Sequence, residues 1–301
     1  MSDTTRSGLS DTTRIAVVQL AAIVGDTNAN MRACEALADR AAGEGAQWII
    51  LPEFFTTGMA YDRRLVDAAM PPDGAATELL ITLARRHAAT VGGSFLCRDA
   101  DGHVRNAFFL VSPEGSVLGR HDKDLPTMWE NCFYTGGGDD GVIGAGNGLQ
   151  AGVAMCWELI RSQTARRLRD RVDVVVGGSC WWSVPRLPPR AITRRMEAAN
   201  RSNAIGAAAN FARLVGAPVA HAAHCGGIGC PMPWLPLRYH GNTEGGAAVF
   251  DADGRTLAFR DASEGPGIAI ADVQLGRRAP AQVVPDDFWL CDRGAIAAGA
   301  W

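Results

Sequence analysis

Residues 152–158 read Gly-Val-Ala-Met-Cys-Trp-Glu, a short apolar run that stops on Cys156. Four apolar residues bounded by polar and turn-forming neighbours fit a buried strand. Ser162 to Arg169 then fits a helix, and Val172 to Val176 is a second buried strand. Outward toward the N-terminus the same alternation repeats. Ile15 to Leu20 reads as a strand, and Asn28 can cap a helix running to about Ala42 with Gly43 and Gly45 as stop signals. Trp48 to Leu51 is a strand halted by Pro52, and Thr77 to Ala88 places Leu79, Leu80, Leu83 and Ala84 on one helical face. Val91 to Cys97, Ala107 to Val111 and Val117 to Arg120 read as strands, the last two joined by the turn Ser112-Pro-Glu-Gly115. Toward the C-terminus come a helix near Ala191 to Asn203, the apolar run Ala204 to Ala209, and strands at Ala247 to Phe250, Thr256 to Phe259 and Ile268 to Ala271. Some strands arrive through helices and others through hairpins, which predicts an α/β fold with a mixed sheet and helices packed outside it.

No linker rich in Pro, Ser or charge divides this stretch, so residues 14–279 read as one domain. Ser2 to Arg6 and Ser10 to Arg14 both spell SDTTR, a polar duplication that makes 1–13 a flexible leader. Residues 280–301 lack periodicity and form a tail that wraps the body or a partner. At 301 residues, 47% hydrophobic and 20% charged, the chain is long enough for a full core and excludes wholesale disorder and coiled-coil architectures. A net charge of −3 without a basic run argues against nucleic acid or an anionic membrane as partner. Eight dispersed cysteines and no apolar leader segment point to a reducing cytoplasm. The Gly-rich stretch 136–148 lacks the Gly-Lys-Ser/Thr ending of a phosphate loop and reads as a flexible loop.

Three places carry candidate chemistry. Cys156 stands at a strand exit, where nucleophiles are displayed, although any buried cysteine fits such a site as well. Glu53 in Leu51-Pro-Glu-Phe-Phe55 follows a strand and abuts two aromatics; desolvation there suits a general base, and a surface or capping glutamate remains the plain alternative. Lys123, with Pro126 and Glu130 downstream, reads as a loop holding a cation beside an acid, or as a solvated connector.

Taken together, Glu53 after a strand, Lys123 in K-x-x-P-x-x-x-E and Cys156 in V-A-M-C-W-E resemble the Glu-Lys-Cys triad of the nitrilase (carbon–nitrogen hydrolase) superfamily. Ile15-Ala-Val-Val-Gln19, Asn200 to Asn210 and Gly241 to Gly254 extend the likeness over about residues 14–275. The resemblance implies a four-layer αββα sandwich, pairing sheet to sheet into a homodimer or higher homo-oligomer, and a cofactor-free and metal-free reaction. In it Cys156 attacks an amide carbonyl or nitrile carbon and Glu53 moves protons. Lys123 and the backbone N–H of Trp157 hold the oxyanion, and Glu130 supports Lys123. Cys-Trp-Glu is closer to the nitrilase form than to the amidase forms. Leu159 and Ile160 stand where carbamoylases carry two arginines, which weakens that branch. A small amide is the default substrate, followed by a nitrile. Trp157, Trp181 and Trp182 are expected to wall the pocket with Tyr134 near its mouth. Two rivals are a Cys156–His221 or Cys156–His224 thiol enzyme, and a zinc-stabilised binding module built on His221, His224, Cys225 and Cys230.

Overall fold

The computed structural model describes residues 12–185, 190–232 and 236–291. Its elements run β1 (Thr12–Leu20), α1 (Thr27–Gly43), β2 (Trp48–Ile50), α2 (Arg64–Asp67), α3 (Ala75–His87), β3 (Thr90–Arg98), β4 (Val104–Val111) and β5 (Val117–Asp122). These are followed by β6 (Val142–Gly144), β7 (Gln150–Val153), α4 (Ser162–Leu168), β8 (Val174–Ser179) and α5 (Arg190–Val215). The chain closes through β9 (Val219–Pro231), β10 (Arg238–Phe250), β11 (Thr256–Asp261) and β12 (Gly267–Gln274).

The strands follow the order β5-β4-β3-β2-β1-β9-β8-β7-β6. The central pairs from β3 through β2, β1, β9 and β8 to β7 are parallel, while β4, β5 and β6 join antiparallel at the flanks. Gly119 of β5 lies so near Ile143 of β6 that a Cβ there would come within 2.8 Å of the isoleucine, so the two ends of the path fold toward each other. Three apolar clusters separate four layers. Cys34, Ala38, Leu80 and Leu83 of α1 and α3 pack on Val18, Val91 and Phe95. Ile15, Val17, Ile50 and Leu110 meet Val153, Val174 and Val176 between the two sheet halves. Leu168, Phe211 and Leu214 of α4 and α5 cover Val175 and Val219 on the far side. The expected αββα sandwich is the observed one. Strands buried on both faces explain why 15–18 and 174–176 are apolar without alternation.

Several expectations shift. Asp26, rather than Asn28, caps α1 by accepting the Ala29 N–H at 2.9 Å. Ala204 to Ala209 continues α5 as helix. Residues 219–231, which hold His221, His224, Cys225 and Cys230, form the long strand β9 paired with β10. Thr12 and Thr13, assigned to the leader, pair with Gln274 and Val273 of β12; residues 1–11 lie outside the described residues. Gly136 and Gly137 are pressed onto the β5 exit, where a Cβ would come within 2.0 Å of the Asp124 carbonyl oxygen and 2.3 Å of Asp122 Cβ. That half of the glycine-rich stretch is therefore a packed support. Among the described residues no helix is long and apolar enough to cross a membrane.

Candidate active site

The C-terminal ends of β2, β5, β7 and β8 converge, and each delivers one part of the site. After β2, Pro52 and Glu53 pass over β8 at Gly178. A Cβ at that glycine would sit 2.9 Å from Pro52 Cα and 3.0 Å from the Glu53 nitrogen, so only glycine admits the crossing. The crossing brings Glu53 Oε2 to 2.9 Å from the Cys180 N–H at the end of β8. Asn106 Nδ2 and Lys123 Nζ each donate to Glu53 Oε1 at 2.9 Å. Three donors and no acceptor face this carboxyl, the environment of an ionised carboxylate. His224, on β9, holds the Glu53 backbone carbonyl at 2.6 Å through Nε2.

Lys123 is fully buried at the β5 exit. Its ammonium also reaches Glu130 Oε2 at 3.1 Å and Thr127 Oγ1 at 3.2 Å. Glu130 lies on a 3₁₀ turn, Met128–Cys132, where the loop was expected, and accepts the Thr127 N–H and the Tyr134 hydroxyl as well. Burial alone would lower the Lys123 pKa; Glu130 and Glu53 outweigh it and hold the ammonium charged, well above the usual lysine value. Burial pushes the Glu53 carboxyl up, against the opposing pull of Lys123. The Cys156 thiol is likewise raised, first by burial and then by the Glu53 charge, so it rests protonated.

Cys156 follows β7 and starts a second 3₁₀ turn, Cys156–Ile160. Its φ of 51° is left-handed, as are Phe54 beside Glu53 and Met128 beside Glu130, both at 54°. Such residues cost about 1–3 kcal/mol each and persist where the surroundings over-determine them. Glu158 does so at Cys156. Its fully buried carboxylate accepts the Met155 N–H at 2.9 Å and the Asp124 N–H at 3.0 Å, tying the cysteine turn to the lysine loop. His121, two residues before Lys123, closes the bracket with Nε2 3.2 Å from Glu158 Oε1 and Nδ1 on Asp139.

Cys156, Glu130, Trp157, Trp181 and Trp182 all open onto a cavity of about 360 Å³. Tyr134, expected at its mouth, is instead buried behind Glu130. Neither thiol–histidine pairing forms. Three residues apart on β9, His221 and His224 take different partners, His221 bonding Ser179 at 3.0 Å and His224 the Glu53 carbonyl. Burial lowers both to about 4, leaving neutral rings. The same divergence separates the proposed zinc ligands, and no metal-ligand cluster occurs among the described residues.

A model of the carbon–nitrogen hydrolase family matches residues 14–282. The chain belongs to that family. Nitrilase 3 of Arabidopsis thaliana is 28% identical over 169 residues, 50% of this chain and 48% of that one. A nitrilase of Pyrococcus abyssi is 27% identical over 61% of this chain and 71% of its own. The match spans about half the length of the Arabidopsis hydrolase. Among solved structures, a carbon–nitrogen hydrolase from Helicobacter pylori superposes with a TM-score of 0.71 at 18% identity, covering 87% of this chain and 89% of that one. A mutant amidase from Nesterenkonia sp., with acetamide from fluoroacetamide added covalently at its active-site cysteine, superposes at 0.66 with 20% identity, covering 91% and 94%. These likenesses establish this hydrolase fold.

Asn106, Thr127 and Glu158 belong to the site and were missed in the sequence. Asn106 and Thr127 sit inside a strand and a loop whose local patterns carry no chemical signal. Glu158 lay within the quoted Cys-Trp-Glu, and its position two residues past the cysteine was the available clue.

Proposed function

We propose that the protein is a cysteine-dependent hydrolase that cleaves a non-peptide carbon–nitrogen bond of a small amide through a thioester. The observation that carries this reading is the buried Lys123 ammonium, bonded to Glu53 and Glu130 in one cluster with Cys156, behind the cavity that Cys156 lines. Substrate enters the cavity and presents its carbonyl carbon to Cys156 Sγ. The thiol proton passes to Glu53 as the C–S bond forms, which answers the raised thiol: it must be deprotonated at the moment of attack. Negative charge grows on the carbonyl oxygen and is met by Lys123 and the Trp157 N–H. Glu53 returns its proton to the departing nitrogen, and ammonia or an amine leaves. Glu53 then takes a proton from water, whose oxygen attacks the thioester carbon, and the carboxylic acid departs as the thiol reforms. Glu130 keeps Lys123 charged and aimed.

A nitrile is the second reading, favoured by the nitrilases among the relatives and by the Cys-Trp-Glu turn. The same groups then act on a nitrile carbon. A homodimer-based assembly, a cytoplasmic setting and independence from cofactors and metals complete the proposal. Ammonia release from primary amides and nitriles by wild type and Cys156→Ala tests it; equal release by both would refute the mechanism.

A further inference from the structure

The cavity beyond Cys156 is lined mostly by aromatic and aliphatic surface, and several of its polar side chains are bonded within the protein. The Trp181 indole N–H donates to Asn200 Oδ1 at 3.0 Å, and the Asn200 amide nitrogen donates to Glu244 and to the Trp182 carbonyl. The Trp182 N–H donates to the Met59 carbonyl at 3.1 Å. Ser183 and the Tyr239 hydroxyl bond each other at 3.1 Å. Tyr239 and Trp129 flank Trp182, each with its ring centre 4.7 Å from that indole, so this wall is stiff. No lysine or arginine lines the cavity among the described residues, and the acid Glu130 does. A carboxylate placed there would lose its hydration, meet no cation among the described lining residues and face the Glu130 carboxylate of like sign. Size points the same way. About 150 Å³ of apolar cavity holds a benzene ring, so about 360 Å³ takes a ring with its amide and linking atoms.

Resting on the amide- or nitrile-cleaving reading above, we infer that this site selects an uncharged substrate whose acyl side is apolar and at least the size of one aromatic ring. Small aliphatic amides leave the aromatic walls wet or empty. Substrates carrying a carboxylate, N-carbamoyl amino acids among them, are rejected. Glu130, Cys156 and the Trp157 N–H stay at the reacting end, and the aromatic walls accept the remainder.

Three probes separate size from charge: phenylacetamide, acetamide and N-carbamoylphenylalanine, assayed by ammonia release with the full chain. The expected kcat/KM for phenylacetamide exceeds each of the others by about 100-fold or more, the range that hydrophobic pockets achieve. Comparable or better turnover of acetamide or of N-carbamoylphenylalanine overturns the inference while leaving the reaction intact. Calorimetric binding of the same compounds to Cys156→Ala protein gives an arm independent of turnover. If wild type cleaves none of the three and acquires no acyl mass, the amide-cleaving reading fails. The cavity is then judged by binding alone: phenylacetamide at least tenfold tighter than the other two sustains the inference, and absent or equal binding overturns it.

Discussion

Lys123 touches no solvent and neutralises two buried carboxylates, so its removal and the removal of Cys156 have different consequences. Lys123→Ala leaves Glu53 and Glu130 facing each other without a cation. Breaking a buried pair costs about 3–5 kcal/mol of stability, and in the proposed mechanism losing Lys123 as oxyanion donor costs roughly 3 kcal/mol of transition-state binding. This variant is expected to lose both melting temperature and turnover, as thermal denaturation beside an ammonia assay would report. Cys156 has no hydrogen bond to lose, so Cys156→Ala is expected to melt near wild type and be inactive. In the proposed mechanism the raised Glu53 carboxyl sets the acid side of the pH profile. Activity needs the ionised form and is lost as pH falls through its folded pKa. The acid limb of kcat/KM should therefore lie above the ordinary glutamate value of about 4.3; a limb at that value would contradict the assigned base.

Two 3₁₀ turns and one loop hold the reactive groups, and Glu158 couples them. Glu158→Gln turns an amide donor toward the Met155 or Asp124 N–H, so the Cys156 turn and the Lys123 loop lose their common anchor. A displacement near 1 Å costs about 100-fold in rate. We expect kcat to fall toward that extent with KM within about twofold, and Glu158→Asp to restore part of it; a matched loss in KM would mark a merely structural role. The bracket is also charged evenly, His121, Arg161 and Arg167 against Glu158, Asp124 and Asp139. Burial opposes the His121 charge, yet Glu158 and Asp139 prevail and leave it pushed up to about 10. Its stabilisation is complete below the unfolded value of about 6.5 and fades as pH rises toward 10. Denaturant unfolding at pH 6 and pH 9 should show that decline, and His121→Asn should flatten it. At this scale the sequence was uneven as a guide. Short apolar runs ending on Glu53 and Cys156 are legible because central parallel strands need no alternation. The β9–β10 hairpin was hidden by its glycines and by Asn242-Thr-Glu244, and the alanine-rich end of α5 has no strong polar face.

Across the molecule, the site lies where the two sheet halves meet, Glu53 coming from one and Cys156 from the other. The set Glu53, Lys123, Glu130 and Cys156 was legible through the family resemblance that its order along the chain carries, whereas Asn106 and the Cys180 N–H join it only through tertiary packing. The C-terminal segment acts at the same scale. Phe288 and Leu290 exchange backbone hydrogen bonds with Ser162 and Ile160, and Trp289 stands edge-on to Trp157 with Arg161 over its ring. Truncation after Val284 should lower both melting temperature and kcat by freeing that turn, measurable in one thermal scan and one ammonia assay. The central claim is a covalent acyl intermediate on Cys156. Ammonia release run beside intact-mass analysis of acid-quenched samples, with an amide substrate and with Cys156→Ala as control, tests it most directly. Release by wild type alone is expected, with an acyl adduct on wild type that the variant lacks. Undiminished release by Cys156→Ala, or an adduct that survives the substitution, would contradict it.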